Sequence, residues 1–229
     1  MLSSHYLHFE HCGESITLFL PNADDDFVQK CMCQNKTFWE IRQLNIAKKF
    51  FPKNGFFIDV GAYVGNHSVY AAKFFGAKKI FAFEPQRAII PILKENISLN
   101  FIDDKFQLFP IALTERAQTM SVSRILPGTR AGTAYSYDAH GEIIGMPLDA
   151  YKIPCVDMLK IDVEGEEISV LRGAAKTIQR SHPVIWLEIC SDKSFMEIQF
   201  FLQSLGYGVY KLISEMDYLF FHSTVPLQC

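Results

Sequence analysis

Apolar and polar positions divide the chain into short apolar runs separated by amphipathic stretches. Residues 5 to 20 alternate weakly on either side of Gly13-Glu14, which predicts a hairpin between YLHFEHC and ITLFLP. The polar stretch Pro21 to Asp26 breaks that pattern. In NKTFWEIRQLNIAKKFF, Phe38, Ile41, Leu44 and Ala47 then fall near helical spacing, and Pro52-Lys53-Asn54-Gly55 ends the helix. Phe56-Phe57-Ile58-Asp59-Val60 is the near-continuous apolar run of a strand covered on both faces. A helix over 67–75, a strand over 79–84, a helix over 87–99 and a strand over 106–112 follow. Strands over 156–161, 183–188 and 207–212 alternate with helices over 166–178 and 193–205, and 217–221 closes the sheet as an antiparallel edge.

Residues 115–150 interrupt this rhythm. QTMSVSRI, TAYSYD and EIIGMPL are separated by Pro127-Gly128 and Gly141, which predicts antiparallel strands or a long loop in place of helix. The alternation elsewhere predicts an α/β fold with a doubly wound, mostly parallel sheet. The expected organisation is an N-terminal cap over 1–52, too short for its own core, and a main domain over 53–229 carrying the β-rich insertion.

Composition adds exclusions. With 49% hydrophobic and 21% charged residues in 229, the chain has an ordinary globular balance and the size of one α/β domain. A net charge of −3 without a long basic run argues against a surface that tracks nucleic-acid phosphates. No window reaches the roughly 20 apolar residues of a membrane span, and MLSSHYLHFEHCGES lacks the order of a secretory signal. The 6 cysteines (Cys12, Cys31, Cys33, Cys155, Cys190 and Cys229) form no C-x-x-C and read as reduced thiols of a cytoplasmic protein. His5, His8 and His11 are spaced for a helix within a stretch that favours strand, which argues against a metal triplet there.

The candidate chemistry begins after the first core strand, at Asp59-Val-Gly61-Ala-Tyr63-Val-Gly65. A dinucleotide turn needs a glycine where Tyr63 stands, because a side chain there obstructs the pyrophosphate. A nicotinamide oxidoreductase is therefore disfavoured, and no Gly-Lys-Ser/Thr supports a P-loop. The turn suits a nucleoside with an amino-acid tail and no phosphates. Gly61 permits close approach, Asp59 can pair with a cation, and Glu84 ends the next strand where a carboxylate can accept both ribose hydroxyls.

FFIDVGAYVGNHSVYAAKFFG resembles motif I of class I S-adenosylmethionine-dependent methyltransferases. Together with VDMLKIDVEGEEISVLRGAAKTIQRSHPVIWLEI, which carries K-I-D-V-E-G-x-E, V-L-x-G-A and P-x-I-x-x-E, it resembles the FkbM family over about Phe38 to Glu188. The resemblance implies a seven-stranded Rossmann-like sheet. It also implies methyl transfer from S-adenosylmethionine, commonly to a hydroxyl of a sugar, glycan precursor or other natural-product scaffold. It makes Asp59, Gly61 and Gly65 the cofactor turn, flanked by Asn66 and His67, with Tyr63 where family members usually have Asn. Glu84 matches the ribose-binding acid, and the adenine edge is expected near Ala112.

Transfer to a hydroxyl requires alignment and removal of a proton. Asp162, at the tip of the strand over 156–161, is the candidate base facing the methyl donor, with Glu164 and Glu188 as further catalytic candidates. Asp162 and Glu164 are also close enough to hold Mg²⁺ with waters and a substrate diol. Glu166 and Glu167 read as helix-start acids, while Lys160 either pairs with an acid or snorkels out of the sheet. His140 is an alternative base, His182 a loop residue, and Tyr135 and Tyr137 are either sugar contacts or ordinary strand residues. The expected partner is a small acceptor, carbohydrate in the first instance, and a homo-oligomer is compatible with the sequence. The rival from another class is a module that binds the cofactor without chemistry.

Overall fold

The computed structural model describes residues 5–224. Strands β1 (Tyr6–His11) and β2 (Glu14–Phe19) form an antiparallel hairpin, turning at Cys12 and Gly13, both at positive φ. Helix α1 (Phe27–Asn35) is capped by Asp26, whose Oδ1 accepts from Gln29 N at 2.9 Å, and stops at Lys36 in the left-handed conformation. Helix α2 (Ile41–Ala47) starts beyond a second left-handed residue, Glu40, and tightens into a 3₁₀ turn through Phe50. The helix expected over 35–51 is therefore shorter, beginning at Ile41, and α1 precedes it in a stretch for which no helix was expected. The periodicity missed α1 because its buried face is Val28, Gln29 and Met32, with a polar residue in the middle.

The core alternation follows: β3 (Phe56–Val60), α3 (Asn66–Tyr70) running on as a π turn through Phe75, β4 (Lys79–Phe83), α4 (Ile90–Leu99) and β5 (Phe106–Phe109). The insertion holds β6 (Ala112–Leu113), β7 (Gln118–Ile125), β8 (Thr133–Tyr137) and β9 (Ile143–Met146). It forms its own four-stranded sheet in the order β6-β9-β7-β8. The chain then completes the main sheet with β10 (Met158–Ile161), α5 (Glu167–Gly173), α6 (Ala175–Ser181), β11 (Val184–Glu188), α7 (Asp192–Ser204), β12 (Tyr207–Leu212) and β13 (Asp217–His222).

Seven strands lie in the order β12-β13-β11-β10-β3-β4-β5. Neighbours pair in parallel except around β13, which is antiparallel to both β11 and β12. The doubly wound, mostly parallel sheet is thus borne out. The antiparallel strand, expected at the edge, sits one place in, because the last hairpin folds back to lay β13 against β11 and leaves β12 outside.

Strand alternation splits the core into two layers. Ile58, Leu159, Ile161, Ile185 and Leu187 pack with Val170, Leu171 and Leu202 of α5 and α7 on one face. Phe57, Met158 and Trp186 pack on the other with α3 and with Leu7, Ile16, Leu18 and Leu44 of the N-terminal segment. Full burial of such a side chain contributes about 1.5–3 kcal/mol, so the first fifty residues are anchored by the same core as the sheet. No helix among the described residues is long and apolar enough to cross a membrane. Cys12, Cys31, Cys33, Cys155 and Cys190 are free thiols among the described residues, and Cys229 lies outside them.

Candidate active site

The sheet reverses its winding between β3 and β10, and the carboxyl ends of β3, β4 and β10 open there into one crevice, the usual ligand position in such sheets. Gly61 follows β3 at φ 78. A Cβ on it would lie 1.9 Å from the carbonyl oxygen of Asp162, so the turn and the end of β10 cross at a separation only glycine allows. The turn continues through Tyr63, whose N–H donates to Glu84 Oε2 at 2.8 Å and whose hydroxyl accepts from Gln29 Nε2 of α1 at 2.7 Å.

A cavity open to solvent occupies the crevice. Of the residues expected at the site, Gly61, Tyr63, Glu84, Ala112, Asp162 and Glu164 line it, and Met120, Thr133 and Tyr135 of the insertion cover it. Glu84 is 2% exposed, and its second oxygen accepts from Gln86 N at 2.8 Å. Burial pushes its carboxyl up to about 7 against the lowering effect of the two backbone donors. The hydroxyl of Tyr135 is buried and has no hydrogen-bond partner among the described residues. A buried hydroxyl without a partner beside a carboxylate with spare lone pairs suits a polar ligand rather than an apolar one. Phe83, Ile111 and Leu113 supply an apolar wall.

The second cluster lies at the end of β10. Lys160 is 2% exposed, and its ammonium sits 3.0 Å from Asp162 Oδ2. It pairs with an acid and does not snorkel. Burial opposes its charge, but Asp162, Asp59 and Glu40 hold its pKa above the ordinary value. Burial raises the Asp162 carboxyl too, yet the Lys160 charge and a hydrogen bond with Glu188 outweigh it and hold Asp162 below the usual range. Glu188 is pushed up to about 9, first by the charge of Asp162 and then by burial. Glu188 therefore keeps its proton at neutral pH and shares it with Asp162, as close acid pairs do. Carboxylate oxygens of Asp162, Glu164 and Glu188 lie within 4.8 Å of one another, and Arg124 of β7 reaches Glu164 at 3.8 Å.

The remaining expected residues, Glu166 apart, stand outside the cavity wall. Asp59 is fully buried, accepts from Ser68 Oγ at 2.7 Å through Oδ2, and lies in register with Lys160. Gly65 opens α3 at φ 84, against Leu93. Asn66 bonds the backbone of Trp39, and His67 bonds Glu40 at 2.9 Å. Burial depresses the His67 pKa to about 3, so the ring is neutral. His140 and Tyr137 are exposed and His182 caps α6, while Glu166 and Glu167 open α5. On β1, His8 binds Thr17 on the opposite strand face from His11, which is caged by Phe38, Tyr70 and Phe74.

Glu40, Gln29 and Arg124 reach the site without a sequence signal. Three non-glycine residues at positive φ, Glu40, Tyr63 and Glu164, surround it. Each such conformation costs roughly 1–2 kcal/mol, a strain that gathers where function demands a geometry.

Residues 59–220 match the family described as Methyltransferase FkbM domain. Methyltransferase sdnD of Sordaria araneosa is 27% identical, with the alignment covering 53% of this chain and 61% of that protein. Methyltransferase 1 of Beauveria bassiana is 23% identical over 69% of this chain and 74% of its own length. The crystal structure of methyltransferase FkbM from Methylobacillus flagellatus KT superposes with a TM-score of 0.61 at 14% identity, over 85% of this chain and 51% of that one. The chain thus spans about three fifths of the Sordaria protein and half of the Methylobacillus chain.

Proposed function

The chain belongs to the FkbM methyltransferase family, and from that premise we propose that it is an S-adenosylmethionine-dependent O-methyltransferase. Its acceptor is a hydroxyl on a sugar, glycan precursor or other small natural-product scaffold, and it works in the cytoplasm, where its thiols stay reduced. One observation carries the reading. Two carboxylates, the buried Glu84 and the partly exposed Asp162, end the strands on either side of β3 and face one cavity across a glycine turn.

The cavity fits the cofactor that the family implies. Gly61 leaves backbone accessible where a side chain would collide, Glu84 has lone pairs for two hydroxyls, and Phe83, Ile111 and Leu113 offer a flat apolar wall to a base. When bound, S-adenosylmethionine supplies an electrophilic methyl group. Asp162 accepts the proton of the acceptor hydroxyl, and Lys160 keeps that carboxylate ionised until then. Glu188 shares the proton, so the pair can take one up and later return it to water. Met120, Thr133 and Tyr135 of the insertion cover the cavity. No Mg²⁺ enters this reading, because the Lys160 ammonium already holds Asp162 Oδ2 at 3.0 Å.

Isothermal calorimetry with S-adenosylmethionine, S-adenosylhomocysteine and NAD tests the premise: heat with the two sulfur ligands and none with NAD is expected. Absence of heat with both sulfur ligands defeats it. Mass spectrometry of hydroxylated acceptors incubated with methyl-labelled cofactor then tests the acceptor class, and label recovered only on nitrogen would overturn O-methylation.

A further inference from the structure

Asn66 and His67, the first two residues of α3, direct their side chains to the N-terminal segment instead of the cavity. Asn66 Oδ1 accepts from Trp39 N at 3.0 Å, and its Nδ2 donates to Trp39 O at 3.0 Å. The same amide nitrogen faces His67 Nδ1 at 3.4 Å, which makes Nδ1 the acceptor and leaves the ring proton on Nε2. That proton is donated to Glu40 Oε2 at 2.9 Å. Glu40 is held at φ 57 and ψ 34, a left-handed conformation that a glutamate adopts only when its surroundings impose it.

These contacts aim the Glu40 carboxylate into the buried polar centre. His67 faces it from α3, and Trp186 of β11 packs edge-on against the His67 ring at 5.2 Å. Burial pushes the Glu40 carboxyl up to about 7, with the charge of Lys160 of β10 opposing the rise and that of Asp162, just after β10, adding to it. Glu40 in turn raises the pKa of Glu188 of β11 and of Asp217 of β13, and with Asp162 and Asp59 of β3 it supports the charge of Lys160. Among the described residues, Lys160 is the cation within that group of acids.

We propose that Glu40 is a positioning residue of the methyl-transfer centre, aimed by Asn66 and His67 so that it shares the Lys160 ammonium with Asp162 and sets how readily the Asp162–Glu188 pair holds a proton. The proposal rests on the reading of that pair as the proton acceptor. It makes the N-terminal segment a component of the reaction centre as well as a cover.

The effect has a definite sign. An ionised Glu40 draws Lys160 away from Asp162 and repels a further negative charge, so it makes the pair more basic. Glu40→Gln keeps the size and the bond from His67 while removing the charge. Carbon-13 NMR of the side-chain carboxyls follows Glu188 directly, its signal being the one lost in Glu188→Gln. In Glu40→Gln the Glu188 midpoint is expected to fall by roughly half a pH unit or more, and Glu40→Asp should restore part of it. His67→Ala, which leaves Glu40 unaimed, should give a smaller shift in the same direction and serves if Glu40→Gln does not fold. An unchanged Glu188 midpoint in either folded variant overturns the proposal. The titration needs neither acceptor nor turnover, whereas failure of the methyltransferase reading would appear as absence of cofactor binding in the calorimeter.

Discussion

Two strand ends present carboxylates to the same cavity and are held in opposite ways. Glu84, after β4, gives each oxygen to a backbone N–H, from Tyr63 and from Gln86. Those donors neither titrate nor swing away. Asp162, after β10, is held by the Lys160 ammonium and by the carboxyl of Glu188, both of which exchange protons. A carboxylate fixed by backbone is a preorganised acceptor suited to binding, while one in a proton-sharing pair is suited to chemistry. Position at a strand tip leaves the role open; the partners are what differ.

The harshest way to break the comparison is to separate the two ends. Gly61→Ala sets a methyl group against the Asp162 carbonyl, backbone against backbone, so neither side can yield cheaply. Loss of measurable S-adenosylmethionine binding, with a Tm lowered by several degrees, is expected from calorimetry and thermal melts. Wild-type affinity in this variant would mean that the crossing does not set the cavity. Next in size, Asp162→Asn should lower turnover by roughly 10²–10⁴-fold while cofactor affinity changes little. Retained turnover would move the base to Glu164 or Glu188.

This contrast was only half visible in the amino-acid order. The runs around Phe57 and Leu159, the glycine turn and the acids Glu84 and Asp162 are local signals, which is why the doubly wound sheet was legible. The partners are not local. Lys160 was an oddity in an apolar strand until its register against Asp59 and Trp186 was known. Glu40 carried no signal of its own, because the turn that holds it is fastened through the Trp39 backbone by Asn66, 27 positions beyond Trp39. Helix α1 hid behind Gln29, a buried polar residue whose amide is taken up by Tyr63. The strands of the insertion showed in their alternation, but their place over the cavity did not, since that depends on contacts between sheets.

The proton-sharing side makes a stability prediction. Glu188 sits at about 9 against an ordinary 4.5, so between those values the folded chain holds a proton the unfolded chain has lost. That stability is present below 4.5 and drains away as the pH rises toward 9. His67, depressed from 6.5 to about 3, acts in the opposite sense, but only below 6.5. Above neutrality the carboxyl effect stands, and the Tm of the cofactor-free chain should fall as the pH is raised. Glu188→Gln should flatten that fall, and an unaltered slope would remove Glu188 as the shared-proton site. Substitution on the binding side should look different. Glu84→Gln is expected to weaken S-adenosylmethionine about tenfold, near the 1.4 kcal/mol expected of one charge-assisted hydrogen bond, with turnover at saturating cofactor preserved. Equal losses in turnover and affinity would dissolve the distinction between the two acids.

The mildest test concerns what covers both acids. Asp26 is 1% exposed and binds two segments at once. One oxygen caps α1, and the other accepts from Arg130 N at 2.6 Å and from Thr129 Oγ1 at 3.4 Å, while the neighbouring Phe27 N donates to Gly128 O at 2.7 Å. Residues 128–130 lead directly into Thr133 and Tyr135 over the cavity, so this carboxylate ties the N-terminal segment to the covering strands. Removing it costs a helix cap, typically about 1 kcal/mol, and leaves the Arg130 N–H without its acceptor. Asp26→Ala should therefore release S-adenosylhomocysteine a few-fold faster in stopped-flow, with the Glu188 titration unmoved, because the cover is loosened and the proton-sharing pair is untouched. A release rate equal to that of the parent chain would mean that the cofactor leaves by a route the insertion does not guard.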